Sequence, residues 1–154
     1  MEAKFINPVL TSMITVISTM AQIQPKPGKP VLKTDDVARG VVTGIIAMQG
    51  ERARGSLAIS FPKAVILDLA RRILSEERSD VDEVTCDLTG EITNMVMGGA
   101  KAIFAEAGYD FGMEQPDVLS GPDHLVEHSV LGPKILLPFL TESGEFYVEI
   151  CFEQ

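Results

Sequence analysis

Asp87, Glu91, Asn94 and Gly98 have side chains and a spacing suited to chemistry. They fall in the stretch DLTGEITNMVMGGAKAIF, Asp87 to Phe104, at intervals of four, three and four. On an α-helix those intervals form one ridge, with Lys101 continuing it. A carboxylate on such a ridge accepts charge-assisted hydrogen bonds from a cation. A carboxamide carries donor and acceptor together, so it can orient a water molecule without taking up a proton. A purely solvated ridge is usually crowded with Lys and Glu, and this one is not. Glu and Asn on a helix surface are nevertheless most often just solvated, so the pattern alone does not define a site.

A second chemical pattern lies further on. His124-Leu-Val-Glu-His128 matches the inverted zinc-protease motif, and these are the two histidines of the chain. Zinc chemistry needs a helix that brings both imidazoles to one metal, together with a third ligand. The segment is confined between Gly121-Pro122 and Gly132-Pro133, which leaves barely two helical turns. Read as a strand, it holds the imidazoles roughly 13 Å apart. The expectation is therefore no metal, with both histidines on the surface or on an edge strand. No phosphate loop, dinucleotide fingerprint or nucleophile elbow is present, and GGAKA lacks the first glycine and the hydroxyl of a phosphate loop. Cys86 and Cys151 have no CxxC spacing and read as reduced structural thiols.

The ridge needs elements to position it. From Asp87 onward, Leu88, Ile92, Met95, Gly99 and Ile103 occupy one adjacent face, while Cys86, Thr93, Met97, Ala100 and Phe104 occupy another. Most of the circumference is thus fit for burial, which predicts a helix deep in the fold that exposes only its polar ridge. Ser79 or Asp80 is the expected cap, with Asp82 or Glu83 three residues on, and Gly108 is the left-handed stop after Ala107. Glycines 90, 98 and 99 each cost about 1 kcal/mol relative to alanine inside a helix. They predict close approach of another helix or of a docking partner.

Before this helix, GVVTGIIAMQG (40–50) and RGSLAISF (54–61) read as an antiparallel pair, and Pro62 opens a helix ending near Ser75. After it, YDFGMEQPDVLSG reads as a strand made irregular by Gly112 and Pro116. HLVEHSVL, KILLPFL and EFYVEICFE read as further strands, with Phe146, Val148, Ile150 and Phe152 on one side of the last. The segment from Phe5 to Gln24 contains no charge, yet its apolar residues keep to one side, which is an amphipathic helix rather than a membrane span. Asn7 is its expected cap, with Pro8 at the first helical position. QPKPGKP (24–30) reads as a turn-rich connector. Strands come in runs, so the fold class is α+β, with a largely antiparallel sheet packed against long helices.

The chain has 154 residues, 45% of them hydrophobic, enough for one domain with a real core. Its net charge of -9 argues against nucleic acid and against an anionic membrane as partner. A cytoplasmic location is expected.

The spacing Asp87-x3-Glu91-x2-Asn94-x21-Pro116 resembles the signature of the CheC/CheX/FliY phosphatases of bacterial chemotaxis, which is Asp or Ser, then Glu, then Asn, then Pro about 22 positions later. The amphipathic first helix, the PKPGKP connector, the GSL-x-I-S-F strand and the LSG after the proline extend the resemblance over most of the chain. CheC-like members carry two Glu-x2-Asn pairs. This chain has two asparagines, and Lys4 stands where the acid before Asn7 would be, so one site is the maximum and the CheX branch is the better match. FliY-type members carry an additional switch domain, for which these residues leave no length.

The resemblance implies that residues 1–154 form a single CheX-like phosphatase domain, paired with a second copy as a homodimer. Its substrate would be a phosphorylated CheY-like response regulator, which carries an aspartyl phosphate beside its own Mg²⁺. No cofactor of the chain's own is implied. Asn94 would align the attacking water and Glu91 would pair with the regulator's lysine. Asp87, Gly98 and Pro116 would support the site or the docking surface. A non-catalytic adaptor that binds a receiver domain is the alternative.

Overall fold

The computed structural model describes residues 3–153. Three helices, α1 (Ala3–Ala21), α2 (Lys63–Leu74) and α3 (Glu83–Glu106), pack on one face of an antiparallel sheet. The strands are β1 (Lys26–Pro27), β2 (Val31–Lys33), β3 (Val42–Gln49), β4 (Arg54–Phe61), β5 (Gly112–Met113), β6 (Asp117–Ser120), β7 (Lys134–Thr141) and β8 (Gly144–Phe152). The central order is β7-β8-β4-β3. β1 and β2 both pair with β7 at one edge, and β5 and β6 both pair with β3 at the other. The expected α+β class is the observed one.

The main core lies between sheet and helices. Phe146, Val148, Ile150 and Phe152 of β8 all belong to it, as their alternation predicts, with Leu57, Ile59 and Phe61 of β4 beside them. Ile92, Val96, Ala100 and Phe104 of α3 meet that layer. An aromatic cluster closes one end, where Phe5 stacks on Phe152 with centroids 4.3 Å apart and Phe104 packs edge-on to Phe111 at 5.1 Å.

Asn7 and Pro8 require a correction. α1 begins at Ala3, so Asn7 is not its cap and Pro8 lies inside the helix, fully in the packed face. Pro8 removes one intrahelical hydrogen bond. The turn before it is held by tertiary packing instead, with Phe5 among Phe104, Tyr109 and Phe152 and the Lys4 ammonium over the Phe5 and Tyr109 rings. The connector is corrected as well. Lys26–Pro27 and Val31–Lys33 are short edge strands on β7, a position where proline's missing N–H is tolerated.

HLVEHSVL is not a strand. Apart from one isolated bridge, Val37 to Leu125, it crosses the sheet face opposite the helices. Its alternation is real, with Val126 and Val130 buried and Leu125 and Leu131 exposed, but it reports side chains laid onto a face, not a backbone laddered to an edge. The histidines are therefore not surface residues. His124 Nε2 lies 2.6 Å from Thr43 Oγ1 and its Nδ1 lies 2.8 Å from Gly121 O. His128 is almost wholly buried, with Nε2 3.1 Å from Glu149 Oε1.

Gly44 seats α3 on the sheet. A Cβ placed there would lie 2.0 Å from Thr93 Oγ1 and 3.3 Å from Thr89 O. Both threonines are buried and donate their hydroxyls to the carbonyls one turn back, Thr93 to Thr89 and Thr89 to Thr85. A Gly44→Ala variant is expected to lose about 1–3 kcal/mol by overpacking. A wild-type urea midpoint for that variant would contradict the close seating.

Candidate functional site

α3 is capped by Asp82, not by Ser79 or Asp80. The Asp82 side chain accepts from the Thr85 N–H at 3.0 Å, and the Thr85 hydroxyl accepts from the Asp82 N–H at 2.8 Å. The box is reciprocal, with threonine in the place usually taken by Glu or Gln. Arg78 clamps the same carboxylate at 2.6 Å, and the Thr85 N–H and Arg78 guanidinium together hold it below the usual carboxylate range. The helix ends where the sequence indicates, with Gly108 at a positive φ of 88° just beyond Ala107.

With the start set by this cap, Asp87 and Glu91 are exposed and Asn94 is half-exposed, all on one ridge of α3. Gly44 of β3 pairs with Val118 of β6, so the contact that seats α3 also places β6 beside its ridge. Between them runs an open groove of about 360 Å³. Its helix wall is Cys86, Asp87, Gly90, Glu91 and Asn94, and its opposite wall is Gln115, Pro116 and Val118. The structure thus brings Asp87, Glu91, Asn94 and Pro116 to one place, although Pro116 is 22 residues beyond Asn94. Gly98 lies one turn along the ridge, outside the groove.

The three helical glycines separate by use. A Cβ on Gly99 would come within 2.3 Å of Ser12 Oγ, the hydroxyl that donates to Val96 O at 2.7 Å and ties α1 to α3. One on Gly90 would touch Val118 at 3.2 Å. One on Gly98 would meet nothing within 4 Å.

Among the described residues, neither the Glu91 carboxylate nor the Asn94 carboxamide has a hydrogen-bond or ion-pair partner. Residues three apart on a helix have Cβ atoms roughly 5–6 Å from each other, so the two groups can contact one visiting site together. Also among the described residues, no three of His, Cys, Asp and Glu are grouped to hold a metal ion. No helix is long and apolar enough to cross a membrane.

Sequence reasoning missed parts of this site. Gln115 and Val118 line the groove and were not singled out, and Cys86, read only as a structural thiol, lines it too. Gln115 directly precedes Pro116, so adjacency to the motif was the available signal for it. Met95 was placed with the buried face, yet it is 39% exposed. It stands four residues after Glu91, which puts it on the ridge.

Fold and ridge together define an α+β protein with an exposed polar helix ridge beside an open groove. The family described as chemotaxis phosphatase CheX matches residues 42–140. The CheY-P phosphatase CheX of Thermotoga maritima is 28% identical over 125 residues, 80% of this chain and 79% of that protein. The crystal structure of a CheC-like superfamily protein from Shewanella sp. PV-4 is 46% identical, covers 100% of both chains and superposes with a TM-score of 0.93. Chemotaxis protein CheX from Vibrio vulnificus is 45% identical, with a TM-score of 0.90 over 98% of this chain and 100% of that one. This chain belongs to the chemotaxis phosphatase CheX family.

Proposed function

We propose that this protein accelerates hydrolysis of the aspartyl phosphate on a CheY-like response regulator, with residues 1–154 acting as one phosphatase domain. The observation that carries the reading is a carboxamide, Asn94, beside a carboxylate, Glu91, on the open lip of a groove, neither with a partner among the described residues. The Thermotoga relative's described action on CheY-P gives the same substrate class.

The chemistry asks little of the phosphatase. An acyl phosphate is already activated, and the regulator's Mg²⁺ and lysine already neutralise its charge. In-line attack by water forms a bond to phosphorus and breaks the phosphorus–oxygen bond to the aspartate. Inorganic phosphate and a free carboxylate remain. Asn94 holds the water by accepting one of its hydrogens and donating to its oxygen, and takes up no proton, in the manner of a GTPase glutamine. Glu91, one turn away, receives the regulator's lysine in a charge-assisted hydrogen bond and so orients the complex. Asp87 and Pro116 shape the groove on either side. Homodimerisation through the β1/β2 edge, where Val31 and Leu32 are exposed, would leave the groove free at the opposite edge.

The test is phosphate release from a phosphorylated receiver with substoichiometric protein. Multiple turnovers are expected. Binding without faster release would favour the adaptor instead. In the same assay, Glu91→Ala is expected to raise the half-saturating receiver concentration about ten- to a hundredfold, the size of one charge-assisted hydrogen bond. An unchanged half-saturation would remove Glu91 from docking.

A further inference from the structure

We propose that Met95 and Gly98 seat the receiver around Asn94 and decide which receivers are accepted, a role that rests on the function proposed above. Helical residues advance by about 100° each, so Glu91 and Gly98 lie near the centre of the exposed ridge. Asn94 leans toward the groove side, with Gly90, and Met95 leans toward the α1 side, with Gly99. Gly98 is a hollow one turn beyond both. The surface around the carboxamide is thus a projecting apolar side chain next to bare backbone.

Among the described residues nothing fills the space over Gly98, and Met95 is only partly covered. Gly99 is required by Ser12 and Gly44 by Thr93, whereas a side chain at Gly98 would enter open space. A glycine in a helix interior weakens the helix, and here no internal contact offsets that loss. Met95 leaves 39% of its surface in water while Val96 and Met97 beside it are completely buried. A methionine adapts its flexible thioether to uneven surfaces, which suits contact with a mobile loop of a partner. On the neighbouring helix, Thr11 and Thr15 are exposed on either side of Ser12 and carry no charge.

The occupant follows from Asn94. Its amide reaches a phosphorylated aspartate only if the receiver's loops close around the ridge. The main chain of one such loop then lies over Gly98, within contact of the helix backbone, and Met95 packs against the loop's flank. Both residues set affinity and selectivity. The chemical step stays with Asn94.

The probe is a purified CheY-like receiver phosphorylated with acetyl phosphate, assayed for phosphate release over a range of receiver concentrations. Gly98→Ala is expected to raise Tm by about 2–4 °C, since helix propensity improves without a clash. Gly98→Leu is expected to fold at least as well and to raise the half-saturating receiver concentration at least tenfold, with the rate at saturation unchanged. Met95→Ala is expected to raise it several-fold. A residue serving only the fold would move Tm and leave half-saturation alone. Gly98→Leu with wild-type half-saturation would overturn the seating role while wild-type turnover left the proposed function standing. Wild-type protein that neither binds nor dephosphorylates any receiver would overturn both.

Discussion

An Asn94→Ala variant is expected to fold as the wild type does and to lose about two to three decades of accelerated phosphate release. That loss corresponds to about 3–4 kcal/mol of transition-state stabilisation. It lies well inside the ~7–11 kcal/mol that ideal positioning of a reactant can supply. Stability is expected to change little, because the carboxamide is half-exposed and holds no described partner. Binding is expected to persist, since Glu91 remains to meet the receiver's lysine. Asn94→Asp is the sharper control. It keeps the size but loses the donor and sets a second negative charge against the phosphoryl group, so it is expected to be as inactive as alanine. Wild-type rates in either variant would remove the carboxamide from the chemistry.

The second large effect concerns stability. On the sheet face opposite the helices, Lys33 and Glu149 form an ion pair at 2.6 Å with both side chains fully buried, and His128 donates to the same carboxylate. Lys33→Ala would strand a buried carboxylate, and Glu149→Ala a buried ammonium. Each is expected to lose about 3–5 kcal/mol. The double replacement Lys33→Met with Glu149→Leu is expected to lose far less, because no charge is then left alone. Burial by itself would push the Glu149 carboxyl up, but hydrogen bonds from His128 and Lys33 override it and hold the carboxyl below its ordinary value. A lowered folded value means that the unfolded chain binds this proton more readily. The stabilisation is therefore complete above the unfolded value of roughly 4.3, and it is lost as pH falls through the lower folded value. Urea midpoints for the singles and the double, measured near neutrality and at acid pH, check both statements. Single variants no weaker than the double would contradict the ion-pair account.

What the sequence disclosed about the site was the ridge, because helical periodicity and a motif of four residue types both act over a few turns. The pairing of β3 with β4 and the Gly108 stop were readable for the same local reason. The far wall of the groove was only partly readable. Pro116 came from the resemblance, whereas Gln115 and Val118 reach the ridge through the register of β6 on β3, which no local pattern encodes. The start of α1 was misplaced because Asn7-Pro8 is a good local opening signal, and aromatic packing of Phe5 overrides it from a distance. The segment from His124 to Leu131 was misread as a strand because alternation marks which side chains are buried and says nothing about which backbone pairs. Met95 was assigned to the core by its apolarity, although its position four residues after Glu91 places it in solvent.

The most direct test is the structure of this protein bound to a CheY-like receiver held in its activated state by beryllofluoride and Mg²⁺. The Asn94 carboxamide is expected within about 3–3.5 Å of the in-line water position at the beryllium, with Glu91 on the receiver's lysine. A complex in which α3 faces elsewhere, leaving Asn94 in bulk solvent, would contradict the delivery of that amide to the acyl phosphate.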